Sequence, residues 1–255
     1  MKSLLLICFL AFVSQAHAAY TFVAAHKANG VATLSLTVTA GQNLVILAAD
    51  EETNNSTLTI ADGTNTYVVR GTVNDGFHNA TRTLIDCLSP TPGTYTLTLS
   101  GATNPNMEVL VYTGLAAFSA GSFQSVFAQN PALTTDSAAT AAITPTSYPA
   151  AIIAMGAFTS ITTFTAGTGF TGRAVTTWQF GNGVLAEDLE LASGSHIASY
   201  TPGAANANLA LVAGAYLESA SPPPRKSNMS MMGVSKLIRH KPAANDSEYT
   251  RKEAA

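Results

Sequence analysis

Between residues 94 and 100 the chain reads TYTLTLS, which in an extended strand puts Tyr95, Leu97 and Leu99 on one face and Thr94, Thr96 and Thr98 on the other. That period of two is the pattern of a half-buried strand. Runs of similar character recur at VATLSLTV (31–38), NLVILAA (43–49), TYVVR (66–70), MEVLVYT (107–113), AAIIAMGAF (150–158) and NLALVAGAYL (208–217). Turn-forming segments separate them: ADGTN, SPTPG, GATNPN, ASGS and TPGAANA. No stretch before residue 219 carries a helical stripe, so the pattern predicts an all-β fold.

The order of the runs repeats. ATLSLTVTAGQNLVILAA (32–49) lies over ATAAITPTSYPAAIIAMG (139–156), DGTNTYVVR over AGTGFTGRA, RTLIDCLSPTPGTYTLTL (82–99) over GVLAEDLELASGSHIASY (183–200), and VLVYTGL (109–115) over ALVAGAY (210–216). Four blocks in one shared order predict an internal duplication with halves at about 31–118 and 135–217.

The succession NLVILAA, TIADGTNTYVVR, RTLIDCLSPTPGTYTLTLS, MEVLVYTGL, then TPTSYPAAIIAMGAF, FTAGTGF, EDLELASGSHIASYT, ALVAGAYL resembles a jelly-roll-type module found in secreted bacterial surface proteins and in phage or environmental viral proteins. The chain departs from that pattern at Asp50, Glu51 and Glu52, where uncharged residues are expected. The resemblance implies a two-sheet jelly-roll-like β-sandwich over residues 19–218, each half supplying strands to both sheets. Two small tandem β-sandwiches are the alternative.

The ends change the picture of where the chain works. MKSLLLICFLAFVSQAHA has a basic Lys2, an apolar run Leu4–Val13 and small residues at Ala16 and Ala18, the form of a signal peptide (1–18) cut before Ala19. An apolar run this short does not reach the roughly 20 residues a membrane-spanning helix needs, so the expectation is a secreted or extracellular surface protein without a transmembrane segment. Cys8 leaves with the signal, so Cys87 has no disulfide partner and reads as a core residue.

Charge is sparse and unevenly placed. From Ala19 to Glu218 there are four basic residues against twelve acidic ones, a net charge of −8, which disfavours nucleic acid as a partner of the body. Beyond Ser219 the balance is seven to three the other way, +4, behind the proline run at 222–224. This basic tail, 219–255, is expected to be disordered alone, with 225–241 suited to an anionic surface.

Candidate chemistry is thin. AEDLELASGSHIASYT (186–201) holds Glu187, Asp188, Glu190, Ser195 and His196. It reads as a β-hairpin turning at ASGS, and strand alternation separates Ser195 from His196 and Glu187 from Asp188 and Glu190. The E-x-D-x-E strand of jelly-roll glycosidases would need a glutamate where Ala186 stands. Asp50, Glu51 and Glu52 are the weak candidates for Ca²⁺, and the histidines lack zinc-ligand spacing. Trp178, Phe180, Tyr67 and Phe77 are the aromatics placed to stack on a sugar, with core packing the competing role for the only tryptophan. The expectation is a non-catalytic structural or adhesive module contacting envelope or virion proteins or a surface glycan. A carbohydrate-binding module is the alternative.

Overall fold

A computed structural model describes residues 20–53, 55–75, 79–129, 138–158, 163–178, 183–202 and 208–219. Its regular elements are strands, and no helix occurs among the described residues. They form four antiparallel sheets. In the first half of the chain, β1 (Thr21–Asn29), β8 (Pro105–Thr113), β3 (Gln42–Asp50), β6 (Ala80–Cys87) and β5 (Val68–Asp75) lie in that order in a five-stranded sheet, and β2 (Thr33–Val38), β7 (Gly93–Ser100) and β4 (Thr59–Ala61) form a three-stranded one. In the second half, β10 (Gln124–Gln129), β17 (Asn208–Glu218), β12 (Ala150–Phe158), β15 (Gly183–Leu191) and β14 (Thr171–Thr177) follow the same order, with β9 (Leu115–Phe118) also on β17. Beside them β11 (Ala138–Ala139), β16 (Ser199–Pro202) and β13 (Phe164–Thr165) repeat the small sheet. Each strand number of the first half raised by nine gives the order in the second.

Hydrophobic pattern decides which layer a strand joins. NLVILAA of β3 and AAIIAMGA of β12 are apolar without alternation because both faces are covered, and their described side chains from Asn43 and from Ala150 are buried. Thr94, Thr96 and Thr98 of β7 are exposed while Leu97 and Leu99 are buried, as alternation predicts for an outer layer. One core lies between each large sheet and its own small sheet: Leu44, Ile46, Val109 and Leu97 in the first half, Ile152, Leu211 and Tyr200 in the second. A third core joins the two large sheets through Val45, Leu47, Leu110, Ile153, Met155 and Val212. We call this third core the seam.

Two expectations are corrected here. The β-sandwich-like fold has four sheets rather than two, one large and one small in each half as the tandem alternative implies, and apart from β9 the strands of each large sheet come from one half. The second set also starts earlier than expected, since β9 and β10 pair with β17, while β1 belongs to the first set. The edge strands β1 and β10 are short on alternation, and β1 is broken by a bulge between Phe22 and Ala24, so neither stood out as a run.

Close packing at the seam makes specific glycines irreplaceable. A Cβ on Gly71 of β5 would strike the ring of Phe123, which leads into β10 of the other half. Gly71→Ala should cost about 1–3 kcal/mol through overpacking, readable as a lower melting temperature. Gly121, open on all sides but with φ +72, should lose only the cost of a left-handed alanine, about 1 kcal/mol.

Candidate functional site

The acidic stretch that drew attention in the sequence is not a hairpin. β15 pairs with β12 and β14, whereas β16 pairs with β11 and β13, so residues 192–198 turn a corner from the large sheet to the small one. Gly194 there has φ +81. His196 lies in an isolated bridge to Ile143; its Nε2 is 3.0 Å from the Thr168 carbonyl. Its ring meets Phe170 at a tilt, and it is engaged away from Ser195, which is exposed. Glu187 is buried toward the small sheet, between Leu185 and Leu189 of that core. Asp188 is buried on the opposite face, in the seam, and Glu190 is exposed. The two buried carboxyls thus sit on opposite sides of one strand and share no substrate-sized space. Asp188 and Glu190 share a face as expected, but only Glu190 is solvated.

The other candidates are dispersed. Trp178 is 2% exposed, packed in the seam with the Arg82 guanidinium 5.9 Å from its ring centroid, so it offers no face to a sugar. Tyr67 is half-buried and donates its hydroxyl to Asp62 at 2.8 Å. Phe77 and Phe180 lie outside the described residues. The side chains of Asp50, Glu51 and Glu52 have separate surroundings. Asp50 accepts from the backbone of Glu52, Thr103 and Asn104 and from the Ser56 hydroxyl, at 2.8–3.2 Å. Burial disfavours its charge, but these bonds outweigh burial and hold its pKa below the ordinary 3.8. Glu51 instead meets Arg82 at 2.6 Å, and Glu52 is exposed. Cys87 is buried, its thiol pushed up to about 11 by burial and then by Asp62 and Asp86. It packs in the core of the first half.

What the structure does bring together is a pair of matching clusters in the seam. In one, Tyr112 of β8 donates to Asp188 of β15 at 2.8 Å, and Arg173 Nε donates to the same oxygen at 2.7 Å. Tyr20 donates to the other carboxylate oxygen at 3.0 Å. Phe22 stands edge-on to Tyr112 and beneath the Arg173 guanidinium at 5.4 Å. In the other, Arg70 forks onto Asp86 of β6 with bonds of 2.6 and 2.9 Å. Phe118 stands edge-on to Tyr216 of β17 and lies 4.6 Å beneath Arg70. Tyr216 sets its hydroxyl beside Asp86, short of hydrogen-bond geometry. Burial raises the Asp86 pKa, and Arg70 and Tyr216 oppose it.

The Phe–Tyr, Arg–Phe and Arg–Asp contacts therefore occur twice with the halves exchanged, as at an isologous two-fold interface, whereas tyrosine hydrogen bonds reach the aspartate only at Asp188. Register agrees: Asp86 pairs with Val45, and Val45 with Leu110, while Asp188 pairs with Ile153, and Ile153 with Gly214. Arg70 and Arg173 occupy the extra position of the bulges between Val69 and Gly71 and between Gly172 and Ala174. A bulge re-aims a side chain, and here it turns an edge-strand arginine toward its aspartate. The sequence alignment placed Asp86 over Glu187, one residue off; because strand faces alternate, that slip hid the equivalence of Asp86 and Asp188. The available signal was Arg70, which closes the strand run TYVVR, where an unpaired charge is costly.

One end of the seam breaks the symmetry. The next rows of the first sheet are Leu84–Leu47–Glu108 and Arg82–Ala49–Asn106; their counterparts are Ala186–Met155–Val212 and Val184–Ala157–Ala210. Buried Arg82, Asn106 and Glu108 thus stand where the second half carries only apolar side chains. Burial lifts Glu108 from 4.5 to about 7, against Thr176, Lys27 and Trp178, which favour its charge. Glu187 is lifted from 4.5 to about 8 by burial; the Gly167 amide opposes this and Asp188 adds to it.

Burial also alters the electrostatic picture. Asp50, Glu51, Asp86, Glu108, Glu187, Asp188 and Glu218 are all buried, so most of the acids that give the body its −8 are not displayed, and three of them are paired with Arg70, Arg82 and Arg173. Compared with protein-family models, curated proteins and solved structures, the chain matches none.

Proposed function

We propose that the chain is a non-catalytic structural or adhesive module of an exported surface, in a bacterial envelope or a virion, built from two duplicated jelly rolls. The observation that carries this reading is the repeated Phe–Tyr–Arg–Asp cluster. It pairs each aspartate with an arginine of its own half, ties Asp188 to Tyr112 and Tyr20 across the seam, and leaves neither carboxylate free to act on a substrate. The order 1-8-3-6 facing 2-7-4 supports a jelly roll whose fifth strand has moved to the edge of the larger sheet. Identical strand order, matched bulges and matched seam contacts support duplication.

The outward face of the first small sheet fits a contact role. Thr33, Ser35, Thr37, Thr94, Thr96, Thr98 and Ser100 are exposed there without a charge among them. A glycan array probed with the full protein should show no defined ligand. Selective binding of one glycan, lost on substitution of Tyr67 but not of Trp178, would overturn the structural reading in favour of a carbohydrate-binding module. Export follows from Ala16-His17-Ala18. Mass spectrometry of the mature protein should find Ala19 as its first residue, and an intact Met1 would contradict it.

A further inference from the structure

Glu108 sits where the seam departs from its two-fold pattern, and its surroundings hold its carboxyl by one side only. The side chain is fully buried; Oε2 accepts from the Thr176 hydroxyl of β14 at 2.9 Å, while Oε1 has no hydrogen-bond partner among the described residues. The Trp178 indole N–H lies beside it, short of hydrogen-bond geometry. At the rim, Lys27 of β1 donates to the Thr177 carbonyl at 3.3 Å, bridging the two halves from an exposed position. Arg82 of β6 is occupied by Glu51 and by the carbonyls of Asp50 and Thr81. The corresponding positions of the second sheet, Val184, Val212, Ala157 and Ala210, bring no charge. Among the described residues, Lys27 is therefore the cation whose charge acts on Glu108, and it is exposed.

We propose that Glu108 is a proton-operated latch on this end of the seam: the neutral carboxyl keeps the two large sheets closed over Trp178, and its ionisation favours a locally opened, hydrated state. The sign follows from linkage. Closed, the group titrates near 7; hydrated, near 4.5. Opening is then least favourable below pH 4.5, grows about tenfold for each pH unit between 4.5 and 7, and levels off above 7, a total of roughly 300-fold. Lys27 limits the effect by attracting the ionised form, and Arg82, already paired, does not contribute.

Trp178 is the only tryptophan, so its indole N–H reports this site alone. In the full-length protein, its hydrogen-exchange protection, measured by NMR relative to free indole at each pH, should fall about tenfold per unit from pH 5 to 7 and flatten by pH 8. Glu108→Gln should hold protection constant across the range. Glu187→Gln, which alters the other core, should leave the wild-type profile unchanged. Protection that is independent of pH in the wild type, a parallel fall in Glu108→Gln, or a fall that Glu187→Gln abolishes would each overturn the latch, the last by showing that exchange proceeds through unfolding of the whole body.

Discussion

Stability should decline as the pH rises from 5 to 8, the reverse of what an acidic protein with solvated carboxylates would do. Glu108 and Glu187 have folded pKa values of about 7 and about 8 against an ordinary 4.5, and Asp86 is shifted in the same direction. The folded state therefore holds more protons than the unfolded chain through this window, and stability falls as those protons are lost. At 1.36 kcal/mol per unit, Glu108 and Glu187 forfeit on the order of 3 and 5 kcal/mol by pH 8. Asp50 and Asp62, held below 3.8, work the other way and withdraw their support only under stronger acid. Urea unfolding should thus place maximum stability near pH 4–5. Glu187→Gln should raise stability at pH 8 by several kcal/mol and change it little at pH 5. A profile rising from pH 5 to 8 would mean that both carboxyls are hydrated.

Asp188→Ala should be among the most damaging single substitutions in the body. The carboxylate is buried between the halves and receives Tyr112, Tyr20 and Arg173. Its removal strands a buried tyrosine hydroxyl and a guanidinium that is about a quarter exposed, a loss of about 3–5 kcal/mol for a broken buried pair. Asp86→Ala should behave alike, since Arg70 loses both bonds of its fork. Glu190→Gln, on the same face of β15 but exposed, should stay within about 0.5 kcal/mol. Equal effects at 188 and 190 would show Asp188 to be solvated.

The fold class was legible because the sequence is punctuated so plainly: β2, β3, β7, β8, β12 and β17 lie within a residue or two of the runs that predict them. Layering was also present in the pattern, though not in the strand list. Continuous apolar runs such as β3 have two covered faces, whereas alternating TYTLTLS has one, and a fold containing both kinds needs more than two layers. The candidate site was less legible. The seam aspartates are ordinary members of strand runs, their arginine partners sit in bulges that propensity does not reveal, and aligning the halves one residue out of register exchanged buried Asp188 for its neighbour. Trp178 illustrates a different limit. A tryptophan at a strand end with glycines after it resembles a loop aromatic, and only the small side chains Ala157, Ala186 and Ala210 on the seam face of its own large sheet make room for it in the core.

The central claim is that buried Asp188 binds one half of the chain to the other. A double-mutant cycle of Tyr112→Phe with Asp188→Asn, followed by urea unfolding at pH 5, tests it most directly. The two residues are joined across the seam at 2.8 Å, so the cycle should return a coupling energy of about 1 kcal/mol or more. Losses that add to within about 0.3 kcal/mol would contradict the claim.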